Sequence, residues 1–213
     1  MPTLTEQRLV VYGILFGSII LHEISHGWVA LALGDDTARR AGRLTLNPIP
    51  HIDPIGSILV PGLLLITNAG FIFGWARPVP VNVARLRHPR NDAVLTGLAG
   101  PAMNLVLVAI AYVLLRHLIQ PASFWPAFLL FYLGLLNLML AMFNLLPIPP
   151  LDGSSVVERL VPARYYGHYL AFVRPYTLPI VFLLVIVGQR TGVYGHAIDT
   201  LYAHWASATG YFQ

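Results

Sequence analysis

The sequence contains no cysteine and no lysine, and it carries few charges of either sign. Without cysteine there is no disulfide framework, no thiolate metal ligand and no cysteine nucleophile. All 13 basic residues are arginine, but no cluster of them is interleaved with aromatic residues as a nucleic-acid surface requires, so no nucleic-acid partner is expected. Charged residues make up 10% of the 213 positions and hydrophobic ones 56%. A water-soluble domain carries roughly 25% charged residues, so that class is excluded. Several long apolar runs point instead to an all-α polytopic membrane protein, a single membrane-embedded domain over residues 1–213 in contact with the lipid bilayer.

Hydropathy sets the expected spans. The first covers 9–33, from Leu9 to Leu33, bounded by Arg8 and by Asp35 and Asp36. A helix of that length is roughly 37 Å long, enough to cross a bilayer. A cleaved signal peptide is a poorer reading, because cleavage after Ala32 would discard His22, Glu23 and His26. The second span is expected over 93–118, the third over 124–146 and the last over 169–190, where Pro179 interrupts the run. Residues 194–206 have helical apolar spacing and read as an interfacial helix, with a packing helix as the alternative.

The region 37–83 is harder to place. Ile55–Trp75 is long enough to cross, yet Pro61, Gly62, Asn68, Gly70 and Gly74 divide it. Gly42–Leu46 and Phe71–Val83 look strand-like, the latter an edge strand because of Pro78 and Pro80. If the segment enters and leaves on one side, that side holds Arg39, Arg40, Arg43, Arg77, Arg85, Arg87, Arg90, Arg159, Arg164 and Arg174, against Arg8, Arg116 and Arg190 on the other. Such a bias fits the positive-inside rule better than a single crossing does. The expectation is therefore about four full spans plus a re-entrant helix/β-hairpin segment beside a polar cavity.

His22-Glu23-Ile24-Ser25-His26 is an H-E-x-x-H motif within the first span. On a helix, positions i and i+4 share a face, so both imidazoles can reach one Zn²⁺, with Glu23 placed to act on water. A charge at mid-span costs about 2.5–3.5 kcal/mol, and such residues need partners. A catalytic zinc needs a third protein ligand. The candidate is Asp152, in Asn144-Leu-Leu-Pro-Ile-Pro-Pro-Leu-Asp152-Gly153, where prolines end the third span and Gly153 permits a sharp turn.

These strings, in order, together with Gly100, Pro101 and Asn104 of a G-P-x-x-N motif, resemble the site-2 protease family of intramembrane zinc metalloproteases. The likeness covers most of Leu9–Val161. Gly42-Arg-Leu-Thr-Leu-Asn-Pro, Pro50-His-Ile-Asp-Pro54 and Phe73-Gly-Trp-Ala-Arg-Pro-Val-Pro80 resemble the compact bacterial branch without PDZ or CBS domains. The resemblance implies one Zn²⁺ per chain on His22, His26 and Asp152, with Glu23 as catalytic acid/base. It also implies a transmembrane protein substrate and a multi-pass protein of the bacterial plasma membrane, its active site toward the cytoplasm. Ser154 and Ser155 depart from the Gly-Arg found in many relatives. Asn104 and Asn144 are candidates for contacts to substrate or oxyanion, or for satisfying carbonyls freed by nearby prolines. Two other functions compete: a polytopic transporter or metal-ion carrier, and a non-catalytic scaffold of the same fold. No internal repeat supports the carrier, and Glu23 argues against the scaffold.

Overall fold

The structure, a computed structural model, describes residues 3–67, 74–117, 124–176 and 192–210. Helix α1 (Leu4–Ala32) begins before the apolar run because Thr3 and Glu6 form a capping box. The Glu6 amide donates to Thr3 Oγ1 (3.2 Å) and the Thr3 amide to Glu6 Oε2 (2.7 Å), satisfying donors that hydropathy does not register. A short helix α2 (Thr37–Arg40) follows, then α3 (Val60–Ile66), the long α4 (Pro89–His117) and α5 (Phe124–Asn144). Beyond them lie α6 (Ser154–Leu160), α7 (Ala163–Val173) and α8 (Val193–Thr209).

Among the described residues, α1, α4 and α5 are long and apolar enough to cross a membrane. Most of the last expected span, 169–190, lies outside the described residues, namely 177–190. Tyr169 lies inside α7, which starts at Ala163 and gives way to a tight 3-10 turn at Arg174–Tyr176 around Pro175. The chain forms two compact units, Met1–Asn104 and Leu105–Gln213, divided within α4.

In the first unit, Asp35 ties the end of α1 to the segment before α4. Its carboxylate is fully buried and accepts from the Thr37 amide (3.0 Å), the Thr37 hydroxyl and the Asn82 amide (2.6 Å), with Arg85 at 3.8 Å. Burial pushes its pKa up, but those hydrogen bonds and the Arg85 charge outweigh it and hold the group below the ordinary value. Asp36 pairs with Arg85 (2.8 Å) and Arg40 (2.9 Å).

The expected strands are not there. Among the described residues there is no β-strand: 42–46 is irregular, with Gly42 at φ +65°, and 74–82 is extended but unladdered. The amides of Trp75, Arg77, Val79 and Asn82 donate to four unrelated acceptors: Gly56 O (3.1 Å), His51 O (2.8 Å), Glu23 Oε2 (2.9 Å) and Asp35 Oδ2 (2.6 Å). Ser57 Oγ and Arg43 Nη2 donate back to the carbonyls of Trp75 (2.8 Å) and Arg77 (2.5 Å). Pro78 and Pro80 remove donors from the opposite edge, so no second strand can be zipped on there within this fold. Phe71 and Phe73 lie outside the described residues.

Pro54–Leu59 winds as a wide π-helix, started by Asp53 Oδ1 accepting from the Ile55 and Gly56 amides, and runs into α3. The combined run Pro54–Ile66 is roughly 20 Å long, short of the ~30 Å hydrocarbon layer.

In the second unit, α8 packs on α5. Trp205 sits against Phe131, Leu135 and Ala127 and donates Nε1–H to the Phe131 carbonyl at 3.0 Å. Gly134 makes room for the indole, since a Cβ there would overlap its ring. The face bearing Trp205 is thus a packing face, while Ile198 stays exposed.

Candidate metal centre

Helix α1 carries His22 and His26 one turn apart, both buried, with ring centroids 4.8 Å apart and planes at 85°. His26 Nδ1 lies 2.6 Å from the Thr96 carbonyl on α4. A carbonyl only accepts, so Nδ1 carries the proton and Nε2 keeps its lone pair, the usual way an outer partner fixes a metal-binding tautomer. His22 Nε2 and His26 Nε2 are 3.2 Å apart. Two bonds of about 2.0–2.1 Å at a tetrahedral angle place zinc-bound nitrogens about 3.3 Å apart. The pair therefore fits a zinc ion.

Gly100 supplies the space. A Cβ built on it would lie 2.5 Å from both Nε2 atoms, so the volume beside the two nitrogens exists because α4 has no side chain there. Gly27 likewise makes room near Glu23, where a Cβ would press on Leu44 (2.5 Å) and Val79 (2.9 Å).

Glu23 is half-buried, and its Oε2 accepts the Val79 amide at 2.9 Å. Because Pro78 and Pro80 have no N–H, Val79 is the only donor in that tripeptide. One hydrogen bond leaves the carboxylate most of its acceptor positions, Oε1 included. Arg43 is buried nearby in electrostatic terms. Burial first, then the like charge of Arg77, lowers its pKa, and the Glu23 charge partly restores it. A guanidinium stays protonated at such shifts, so a fixed positive charge faces Glu23.

Asn104 lies one turn past Gly100 on α4 and is fully buried, with neither Nδ2 nor Oδ1 hydrogen-bonded. An unpaired buried polar group costs about 1–3 kcal/mol. Thr96 Oγ1, two turns before Asn104 on the same face, is also buried and unbonded.

In the second unit, Asp152 is half-buried at the mouth of α6, where its carbonyl accepts from Ser155 Oγ (2.7 Å) and from the Ser155 amide (3.1 Å). Gly153 serves close approach rather than a left-handed backbone: φ is −60°, and a Cβ would collide with the carbonyls of Leu145 and Leu146. Its amide donates to the Asn144 carbonyl at 2.7 Å, folding the Pro-rich loop back on the end of α5. The Asn144 side chain donates Nδ2–H to Leu140 O (3.0 Å) in its own helix. His51 is fully buried at the end of the 3-10 turn Ile49–His51, donating Nε2–H to Thr45 O at 2.9 Å.

Sequence reasoning named the histidines, Glu23, Asp152 and both asparagines, but not Val79, Thr96 or the space-making role of Gly100. Only the Pro-Val-Pro string carried a local signal, a lone amide donor between two residues that have none.

Comparison with known proteins places this geometry in context. The family described as Peptidase family M50 matches residues 120–187. YwhC of Bacillus subtilis, named as a zinc metalloprotease, is 46% identical over 157 residues, covering 70% of this chain and 67% of the relative. Rip2 of Mycolicibacterium smegmatis, also so named, is 34% identical over 177 residues, 78% of this chain and 65% of the relative. A Methanocaldococcus jannaschii protein with a zinc metalloprotease name is 43% identical over 162 residues, 74% of each of the two proteins. The alignments span about two thirds of the length of the first two relatives. No solved structure matches significantly.

Proposed function

Since this chain belongs to peptidase family M50, the family of the site-2 proteases, and is a membrane protein with zinc as its implied metal, we propose that it hydrolyses peptide bonds within or near the transmembrane segments of other membrane proteins. The single observation that carries this reading is the pair of Nε2 atoms, 3.2 Å apart, beside a Gly100-shaped space on a helix of spanning length. In the proposal, Asp152 completes the ligand set with His22 and His26. A carboxylate at the end of a proline-broken span suits the third position that a catalytic zinc requires.

When bound, Zn²⁺ supplies Lewis-acid chemistry, acidifying water and polarising a peptide carbonyl. The protein's own residues do the rest. Glu23 accepts the proton at Oε1, because Val79 N–H already occupies Oε2, and returns it to the leaving nitrogen. Thr96 O holds the His26 ring in one tautomer, and Arg43 keeps a positive charge facing the Glu23 carboxylate.

Two further elements belong to the proposal. Ile55–Trp75 is read as re-entrant: the Trp75 amide bonds Gly56 O (3.1 Å), so the segment returns to its starting level, and Pro54–Ile66 is too short to cross alone. The arginine distribution supports an active site toward the cytoplasmic face of the bacterial plasma membrane.

The test is metal removal. Purified protein in lipid vesicles is expected to hold one zinc per protein molecule and to cleave a single-span test substrate. A chelator should abolish cleavage and added Zn²⁺ restore it. Zinc flux into the vesicles with no proteolysis would replace this reading with a carrier.

Val79→Pro removes the amide that orients Glu23. A hydrogen bond to a charged group is worth about 1.5–3 kcal/mol, so kcat should fall by about ten- to a hundredfold with zinc content unchanged. Val79→Ala, which keeps the amide, should retain near-normal kcat. Equal activity in both variants would remove Val79 from the mechanism.

A further inference from the structure

Helices α4 and α5 carry four asparagines; Asn91 is exposed in the first turn of α4, and of the other three, Asn137 and Asn144 pair their amide donors locally. Asn137 donates Nδ2–H to Leu133 O (2.8 Å) and Asn144 to Leu140 O (3.0 Å), each reaching four residues back along its helix. Asn104 does not. It is 0% exposed, and neither end of its carboxamide has a hydrogen-bond partner. The carbonyl of Gly100, four residues back, was available and is not used. A buried amide left unpaired is costly, and the protein forgoes the ordinary remedy.

Its position says what the amide waits for. Thr96, Gly100 and Asn104 recur every four residues and share one face of α4. The first of them holds His26 through its carbonyl, and the second faces both Nε2 atoms. Asn104 is therefore about 6 Å further along the same face from the space between the imidazoles.

A carboxamide presents one carbonyl and one NH₂, the mirror of a backbone peptide group. A substrate helix that unwinds to expose its scissile bond frees a backbone carbonyl and a backbone N–H inside an apolar layer, where each needs a partner. Resting on the protease reading above, we propose that Asn104 is a substrate-binding residue whose Nδ2–H donates to a backbone carbonyl, and whose Oδ1 accepts a backbone N–H, of the unwound segment next to the cleaved bond. Pairing cancels two desolvation penalties at once, the protein's and the substrate's, so it favours the unwound substrate over the helical one. The site selects for backbone, not for any particular residue type.

The test compares wild type with Asn104→Leu, of similar size but apolar, and Asn104→Asp, of similar shape but without the amide donor. Two zinc-directed probes are used on the zinc-loaded proteins: acetohydroxamate, which has no peptide, and a peptidyl hydroxamate, which has one. In Asn104→Leu, affinity for the peptidyl probe should fall about tenfold or more, while acetohydroxamate affinity and zinc content stay unchanged. Asn104→Asp should show the same selective loss. The melting temperature of Asn104→Leu should hold or rise, since an unpaired polar group has been removed.

A melting temperature that drops together with zinc content would make Asn104 a structural residue and overturn the proposal. So would equal affinity of wild type and Asn104→Leu for the peptidyl probe, or a wild type that binds both probes equally well. Because the probes report binding without turnover, a wild type that binds the peptidyl probe selectively but cleaves nothing defeats the protease reading and leaves the Asn104 result legible.

Discussion

Glu23→Gln is expected to lower single-turnover cleavage by about 10³-fold, within the range general acid–base catalysis contributes, while the protein keeps its full complement of zinc. Gln has the size of Glu, and its amide oxygen can still accept the Val79 amide now bonded to Oε2 at 2.9 Å. The extended segment 74–82 therefore keeps its place beside α1. What disappears is the capacity to take a proton at the second oxygen and deliver it to the leaving nitrogen. The measurement pairs metal analysis of the purified variant with cleavage of a single-span substrate under excess enzyme. Cleavage at wild-type rate with zinc present would remove Glu23 from the chemistry. Loss of zinc together with cleavage would make Glu23 a ligand or a folding residue instead.

Gly100→Ala is expected to weaken zinc binding by about a hundredfold, at the upper end of what changes around a metal's ligands cost. The added methyl would lie 2.5 Å from the Nε2 atoms of both His22 and His26. Neither imidazole can retreat easily: both are buried, and His26 is held by the Thr96 carbonyl from the same helix that brings the methyl. The control is Gly17→Ala on α1, where a Cβ would meet nothing within 4 Å. That variant should keep its zinc and gain up to about 1 kcal/mol in stability, as alanine does over glycine in a helix. If Gly100→Ala retains wild-type zinc affinity, the space beside the two nitrogens is not where the metal sits.

The sequence reading succeeded where the physics is local. Apolar runs located α1, α4 and α5, because the requirement to bury some 20 consecutive residues in lipid is written residue by residue. It placed their starts four or five residues late at α1 and α4, since Thr3 with Glu6 and the helix-opening Pro89 are polar or cyclic residues that hydropathy discounts. It read Gly42–Leu46 as strand-like and Phe71–Val83 as an edge strand from alternation and from Pro78 and Pro80. A strand also needs a neighbour offering a row of groups, and residues 74–82 find four separate acceptors instead.

The motif residues divide in the same way. That His22 and His26 share a face follows from 3.6 residues per turn, and that Glu23 adjoins them follows from adjacency. That Gly100 is the residue opposite both imidazoles, that Val79 and no other amide holds Glu23, and that Asn104 is buried unpaired while Asn137 and Asn144 bond back along their helices depends on which elements meet.

From its order of residues alone, then, the protein settled that α1, α4 and α5 are apolar enough to enter lipid, and that His22 and His26 share one face, because the first is written residue by residue and the second follows from the geometry of a single helix. Only the folded molecule decided where a missing methyl leaves room for a cation and which lone amide steadies the acid beside it. Contacts between distant segments turn on fractions of an ångström, and no periodicity along the sequence encodes them.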